Sequence, residues 1–202
     1  MFDPTSLPAP AQILQRTKAL ALLDAILCPD WEYRYYSFNN AWDADEQLAS
    51  MRNGQGDGWF ILFAPNGVAI KGYAHEKTST NSPKIIDIIK NTLPNTFQSF
   101  IDEPAFNMNE ATFCYWHAED CWHRVDLPPD DGSDDLLPVL ILPADKYQTY
   151  AADYFEIDIP IKSIEAIYCG ADLTCELAKS INPEVDFIQL QQDAYQVGYV
   201  LL

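Results

Sequence analysis

Two cysteines and two histidines lie within ten residues of one another in the segment CYWHAEDCWH, and these residue types bind zinc or form a reactive thiolate. The segments on either side of AED predict a β-hairpin, in which successive side chains point to opposite faces. Cys114 and His117 are three residues apart and therefore diverge, whereas Cys121 and His123 share a face. At best three of the four converge, and only if His117 lies at the turn. The spacing favours a packed hairpin without a metal, and a thiol- or metal-dependent hydrolase remains an alternative.

The segment MRNGQGDGWFILF holds three alternating glycines, as phosphate-binding loops do. Such a loop joins a strand to the N-terminus of a helix, whose free backbone N–H groups meet the anion. Here helical spacing predicts a helix before the glycines, and WFILFA predicts a buried strand after them. The sequence therefore indicates a helix C-cap at Asn53 or Gly54 rather than a nucleotide site, and it predicts no cofactor. The apolar positions of the predicted helix are Ala41, Ala44, Leu48 and Met51.

The chain of 202 residues carries 30 acidic and 12 basic side chains, a formal net charge of −18. Residues 102–202 account for most of the imbalance, with 20 acidic and four basic side chains. This charge disfavours nucleic acid and anionic membranes as partners and suits a basic protein. The stretch 119–135 is either a solvated loop or a surface for such a partner, with aromatic anchors beside it. The candidate contact residues are Asp130, Asp131, Asp134, Asp135, Trp116 and Trp122.

The elements that must position these residues begin with a helix over residues 9–27, which Pro29 ends, and an aromatic strand over residues 31–38. A hairpin over residues 59–75 follows, with type I turn chemistry at APNG. Ser82 and Pro83 form a helix start for KIIDIIKNTL, and the hairpin around AED comes next. PPDDGSDD has the composition of an exposed loop, and LLPVLIL predicts a buried strand or extended segment.

Helices are predicted for the last third of the chain. After Pro143, a stripe of tyrosines predicts a helix at the edge of the core rather than a binding surface. IPIKSIEAIY fits a helix or a strand, and DLTCELAKSINP predicts a helix capped by Asp172 and ended by Pro183. The helix face with the tyrosine stripe carries Tyr147, Tyr150 and Tyr154, together with Ala151. The whole pattern predicts a single α+β domain over residues 1–202, with a mainly antiparallel sheet built from hairpins and covered by helices.

The sequence also bears on the compartment in which the protein acts. MFDPTSLPAPAQ has no basic residue and no long apolar core, so no signal peptide is predicted. The apolar runs ALALLDAIL and LLPVLILP are too short to cross a bilayer. Five cysteines form an odd set without secretory context, which indicates reduced thiols in the cytoplasm.

The string YYSFNNAWDADEQLASMRNGQGDGWFILFAPNGVAIKGYAHE resembles a bacterial protein family with the motifs YYSFN, ASMRNGxGD, FILF and IKGxxHE, for which no activity is established. Later segments, FCYW and LT, fit the same family, whereas INP replaces its usual Leu-Asn-Pro. The layout is also similar to that of immunity proteins of the SUKH kind, which neutralise bacterial toxins. The matching positions are residues 35–39, 49–57, 60–63, 70–72, 75–76, 113–116, 173–174 and 181–183.

The matched residues divide into structural and polar members. Glycines suit turns and close backbone approach, and residues 60–63 suit a core strand. The polar members are not explained by packing and either line a site or form an internal network. The polar members that we select as ligand-binding candidates are Arg52, Asp57, Lys71, His75 and Glu76.

Three functions are therefore carried forward as hypotheses. The first is a non-catalytic cytoplasmic binding protein, an immunity-type inhibitor whose acidic surface binds a basic toxin. The second is a small-molecule-binding or regulatory protein with a pocket near Arg52, Asp57, Lys71 and His75. The third is the hydrolase that uses the Cys114–His123 segment.

Overall fold

A computed structural model describes residues 2–77, 85–127 and 130–202, and it confirms the predicted α+β fold. Six strands form one antiparallel sheet in sequential order, so each strand pairs with its neighbour in the chain. Helices cover both faces of this sheet. The strands are β1 (Tyr36–Asp43), β2 (Glu46–Arg52), β3 (Gly58–Ala64), β4 (Gly67–Tyr73), β5 (Phe113–Ala118) and β6 (Cys121–Arg124).

The described residues contain eight α-helices, several of them joined by short 3-10 turns. One helix precedes β1, two helices lie between β4 and β5, and the other five follow β6. The helices are α1 (Pro10–Leu27), α2 (Ile85–Thr92), α3 (Gln98–Asp102), α4 (Ser133–Leu136), α5 (Ala144–Tyr154), α6 (Ile161–Tyr168), α7 (Cys175–Ile181) and α8 (Phe187–Val197).

The alternation of side chains along the strands divides the interior into two cores. Trp59 and Ile61 of β3 lie in a core with α1 and α5 to α8, whereas Leu62 lies in a second core with α2 and α3. Since both faces of β3 are covered, its apolar run is the run of a central strand, as predicted. The predicted hairpins β3–β4 and β5–β6 are confirmed, because the two strands of each pair run antiparallel and are hydrogen-bonded to each other.

Helix α1 is the buried element on which the first core is built. It begins at Pro10 and ends at Leu27, two residues before Pro29, so its predicted bounds are confirmed within one residue. Every residue from Ala19 to Leu27 is buried, including the carboxylate of Asp24. An acidic side chain in that position requires internal hydrogen-bond donors.

The predicted helix at Ala41–Met51 is wrong, because this segment forms the hairpin β1–β2. Leu48 and Met51 lie in different cores, on opposite faces of β2, as a strand but not a helix allows. Asp45, with φ of 59°, reverses the chain between the strands. Six residue pairs then join β2 to β3, and this pairing overrides the local helical spacing. The glycines therefore link two strands, and Asn53 and Gly54 cap no helix.

Three shorter predictions also differ from the structure. The chain at Trp31–Tyr33 is a 3-10 turn rather than the start of a strand. LLPVLIL is helical, since α4 ends in it and Pro138–Leu140 forms a 3-10 turn that proline can begin. Thr174, not Asp172, caps α7, because its side chain accepts the Leu177 N–H at 3.1 Å.

Other predicted elements were ambiguous, missing or not described. The segment that fitted a helix or a strand is helix α6, and α8 was not predicted. The tyrosine helix α5 is confirmed. The predicted helix start at Ser82 and Pro83 lies outside the described residues, as do Pro128 and Pro129 of the predicted exposed loop.

Candidate functional site

Three of the predicted ligand-binding residues line one pocket at the ends of β2, β3 and β4. Arg52, Asp57 and Lys71 surround a cavity of about 200 Å³. The sheet register explains the convergence, because Arg52 pairs with Gly58 while Lys71 pairs with Phe60. Gly58 and Phe60 are two residues apart on β3, so their partners from the two flanking strands point to the same face.

Lys71 is a largely buried cation that forms no close ion pair in the part of the chain that the structure describes, although the carboxylate of Glu110, which lines the same pocket, acts favourably on its charge. It is 4% exposed, and its ammonium makes no hydrogen bond and no ion pair within 4 Å there. The rings of Tyr73 and Phe60 lie 5.7 and 6.0 Å from its Nζ. Burial lowers the pKa of Lys71 to about 8, against the opposing influence of Glu110 and Cys114. At neutral pH the side chain is therefore still charged, and its charge is costly to keep in place.

Arg52 brings a second cation with unused hydrogen-bonding capacity to this pocket. Its guanidinium stacks over the ring of Trp31, with Cζ 3.9 Å from the ring centroid. One nitrogen, Nη2, is buried and has no hydrogen-bond partner among residues 2–77, 85–127 and 130–202. Buried donors are normally satisfied, so an unsatisfied guanidinium nitrogen beside a cavity is a position where an anion or water would bind favourably.

Asp57 is bound to protein groups and shapes the rim of the pocket. Its Oδ1 accepts the backbone N–H of His75 at 2.8 Å and lies 2.7 Å from that residue's ring Nδ1. Its Oδ2 accepts the Asn53 side-chain amide at 2.8 Å. Although burial opposes the change, these hydrogen bonds lower the pKa of Asp57 below its usual value. His75 thus acts on the pocket through Asp57, and the exposed Glu76 does not line it.

The opposite wall of the pocket was not found from the sequence. It comes from two 3-10 turns, Pro104–Phe106 and Met108–Glu110, which meet at Asn107 in the left-handed conformation with φ of 43°. The ring of Phe106 is buried against Phe60, with centroids 5.0 Å apart. Nothing in the short segment DEPAFNMNE shows which strand it will cover, so only tertiary packing defines this wall.

The cysteines and histidines of the β5–β6 hairpin are divided between the two faces of the sheet. Cys114 is fully buried, and burial raises the pKa of its thiol to about 12. Cys121 Sγ lies 3.2 Å from His123 Nε2, while His117 packs against Trp122 on the other face. Among residues 2–77, 85–127 and 130–202, no three His, Cys, Asp or Glu side chains are grouped so that they could hold a metal ion.

The predicted acidic surface is dispersed in the structure. Trp116 is buried and stacks on His123, whereas the indole N–H of Trp122 donates to the Pro8 carbonyl on the opposite face. Asp131 is only 2% exposed, and its Oδ1 accepts the Ser133 N–H and hydroxyl. The exposed acids are Asp130, which pairs with Lys77 at 2.9 Å, together with Asp134 and Asp135.

Comparison of the chain with protein-family models, with curated proteins and with solved structures gave no match. Within the described ranges, none of the helices has the length and apolar character needed to cross a bilayer.

Proposed function

We propose that the protein is a non-catalytic binding protein that takes up a small anion, a phosphate or carboxylate group, between Arg52 and Lys71. The observation that carries this proposal is the ammonium of Lys71, a residue only 4% exposed, which has no hydrogen bond or ion pair among the described residues and borders a cavity that Glu110 also lines. Burial lowers the pKa of Lys71 despite the favourable charge of Glu110, so protein groups compensate this charge only in part and an anion in the cavity would stabilise it. The free Nη2 of Arg52 supports the same reading.

Other features of the pocket and of the chain support the proposed binding role. No serine, threonine or cysteine is among the described residues that line the pocket, so it offers no such hydroxyl or thiol as a nucleophile. The carboxylate of Asp57 is bound by His75 and Asn53, so it holds the rim in place and does not neutralise Lys71. All five cysteines are free thiols, which supports a reducing compartment such as the cytoplasm.

The direct test is thermal unfolding in sodium sulfate and sodium acetate, each compared with sodium chloride at equal ionic strength. A specific site gives a saturable stabilisation, about 1.4 kcal/mol at ten times the dissociation constant. Non-specific salting-out by sulfate does not saturate, so the two are distinguishable. We expect the saturable component in the wild type and its loss in Lys71→Met. Lys162→Met, which changes an exposed lysine of α6, is the matched control and keeps the response.

The stability of Lys71→Met without any anion provides a second test. A lysine with a purely structural role would not give the result expected here. Without any anion, the variant is expected to be more stable than the wild type by a few kcal/mol, because burial on balance disfavours the charge of Lys71 and methionine replaces it by an apolar chain of similar length. Chemical denaturation at pH 7 measures this difference. A variant that is less stable and still responds to sulfate or acetate would contradict the anion site.

The pH dependence of anion binding has a definite sign. Below the pKa of about 8 Lys71 is charged in the empty site and binding needs no proton uptake. Above it, the lysine must first gain a proton, so the sulfate affinity is expected to fall by up to about tenfold per pH unit. Titration of sulfate between pH 6 and pH 10 checks this, since sulfate keeps its charge over that range. A pH-independent affinity would exclude Lys71 as the anion's partner.

A second candidate function, an immunity-type inhibitor of a basic toxin, is favoured by one observation. The 20 acidic and four basic side chains of residues 102–202 give this half a strong negative field that attracts cationic proteins. Asp131 is too buried to take part, which leaves Asp130, Asp134 and Asp135 as the exposed acids of the loop.

The inhibitor hypothesis is tested by capture from a bacterial lysate followed by elution in a salt gradient. We expect one basic protein that elutes at raised salt and is lost when Asp130, Asp134 and Asp135 are all changed to lysine. The matched control changes Asp153, Asp158 and Glu165, three exposed acids elsewhere, to lysine. Equal loss in both variants would show that total charge, not this loop, is responsible.

A further inference from the structure

A second cavity, of about 320 Å³, lies on the opposite face of the sheet from the Arg52–Lys71 pocket. Its walls come from β1, from α5 and from the segment between α4 and α5. Tyr36 and Met51 of the first core form part of its lining.

Four of the lining tyrosines form one cluster centred on Tyr150. The ring centroid of Tyr150 lies 5.1 Å from that of Tyr35, 5.4 Å from Tyr147 and 5.8 Å from Tyr36. Offset and edge-to-face contacts of this kind are favourable between rings, and a further ring placed in the cavity would extend them. The tyrosine stripe predicted to lie at the edge of the core therefore also forms the wall of a cavity.

The hydroxyl groups of this cluster have different partners. The Tyr147 hydroxyl donates to Asp24 at 2.7 Å, which holds its ring in place. Tyr36 is only 9% exposed, yet its hydroxyl makes no hydrogen bond to any residue that the structure describes. A hydroxyl that borders a cavity and has no partner among the described residues is available to a ligand.

The charged residues of the cavity do not select for a charged ligand. One acidic residue, Asp135, and one basic residue, Lys146, are exposed members of the lining, and the side-chain oxygen of Asn53 is already used by the N–H groups of Gln55 and Asp57. Apart from these, the lining is aromatic, aliphatic or proline. Ligand pockets with this composition bind largely apolar molecules and orient them by a few polar groups.

We propose that this cavity binds a neutral, planar aromatic molecule that carries one hydrogen-bonding group, a phenol or an indole for example. The ring of the ligand packs against the tyrosine cluster, and its polar group pairs with the Tyr36 hydroxyl. The tyrosine cluster and the cations Arg52 and Lys71 lie on opposite faces of the sheet, although Met51 borders both cavities, and the proposal does not require an anion.

The test is isothermal titration of the whole protein with 4-methylphenol and with indole. Cyclohexanol and tetramethylammonium serve as comparison probes for a non-aromatic alcohol and a cation. We expect saturable binding of both aromatic probes at least tenfold tighter than that of the two comparison probes. No saturable binding of the aromatic probes, or equal binding of tetramethylammonium, would overturn the proposal.

Variants of the lining residues test whether the aromatic probes bind in this cavity. Val139→Phe fills it and is expected to weaken both aromatic probes at least tenfold, whereas Val200→Phe, at a 70% exposed position, leaves binding unchanged. Tyr36→Phe is expected to weaken 4-methylphenol about fivefold through the loss of one hydrogen bond. If Val139→Phe does not fold, Lys146→Trp at the exposed mouth gives the same test. Undiminished binding of the aromatic probes in the cavity-filling variant would overturn the proposal. Saturating sulfate is expected to have no effect on the binding of these probes.

Discussion

Replacing Asp24 by alanine is expected to lower the free energy of unfolding by about 3–5 kcal/mol, because four buried or partly buried donors, the weakest being the Tyr150 hydroxyl at 3.5 Å, lose their acceptor together. Asp24 is fully buried in α1. Its Oδ2 accepts the backbone N–H groups of Tyr35 and Tyr36, each at 2.9 Å, and its Oδ1 accepts the Tyr147 hydroxyl at 2.7 Å. The carboxylate thus joins α1 to the start of β1 and to α5. Urea unfolding of the variant measures the loss.

Asp24→Asn is the control that separates hydrogen bonding from charge. The amide keeps an acceptor for the two backbone N–H groups, and its NH₂ group can donate to the Tyr147 oxygen, so the loss is expected to be smaller, on the order of 1–2 kcal/mol. An equally large loss in Asp24→Asn would contradict the assignment of Asp24 as an acceptor for these donors.

The charge of Asp24 has its own effect on stability. Burial, which outweighs the hydrogen bonds from Tyr36, Tyr147 and Tyr35 and the nearby charge of Arg34, raises the pKa of Asp24 to about 7. The folded state therefore holds this proton more tightly than the unfolded state, in which the pKa is about 4. The contribution of Asp24 to stability is greatest below pH 4 and is lost as the pH rises to about 7.

Asp24→Asn removes this pH dependence. Its destabilisation relative to the wild type is expected to be larger at pH 5 than at pH 8, and urea unfolding at both values measures it. Parallel stability curves for the two proteins over this range would show that Asp24 titrates normally.

The second large effect is expected for Gly72→Ala. Gly72 of β4 pairs with Phe113 of β5, whose ring lies directly over it. A Cβ atom at Gly72 would lie 1.8 Å from Phe113 Cζ and 2.2 and 2.3 Å from the two Cε atoms. Phe113 is fully buried and packs edge-on against Tyr115, so the ring cannot move aside without leaving the core. Loss of a buried phenylalanine ring costs about 3–5 kcal/mol, and denaturant unfolding is expected to give a value in this range.

Two further variants identify the cause of that loss. In Gly72→Ala/Phe113→Ala the new methyl group no longer meets a ring, so the double variant is expected to be much more stable than the sum of the two single losses implies. Gly54→Ala meets no atom within 4 Å but has φ of 72°, and it is expected to cost only about 1–2 kcal/mol through backbone strain. Additive losses at Gly72 and Phe113 would contradict the steric explanation.

Part of the candidate site could be predicted from the chain alone. Arg52, Asp57 and Lys71 are polar residues at positions that strand packing does not explain, and all three line the pocket. His75 contacts the carboxylate of Asp57 without lining the pocket, and Glu76 does not line the pocket either. What the sequence could not show is that Lys71 forms no close ion pair among the described residues and shares its pocket with Glu110, because that depends on which segment covers the strand.

Local sequence by itself determined the elements whose signals are contained within a few residues of each other. Helix α1 is bounded by prolines, the turn APNG joins two apolar strands, and the motif around AED forms a hairpin, so each appears where predicted. The chemistry of the turn residues and the length of the apolar runs act before any distant contact is made. The α+β class follows from these elements.

Tertiary structure decided everything in which two signals compete or distant segments meet. Residues 41–51 have helical spacing, yet pairing with β3 makes them strands and places Leu48 and Met51 in different cores. The wall formed by Phe106 and Asn107, and the tyrosine cavity between β1 and α5, join segments far apart in the chain. Burial and hydrogen bonding across such distances depend on the whole fold, and their energies exceed local propensities of about 1 kcal/mol or less per residue.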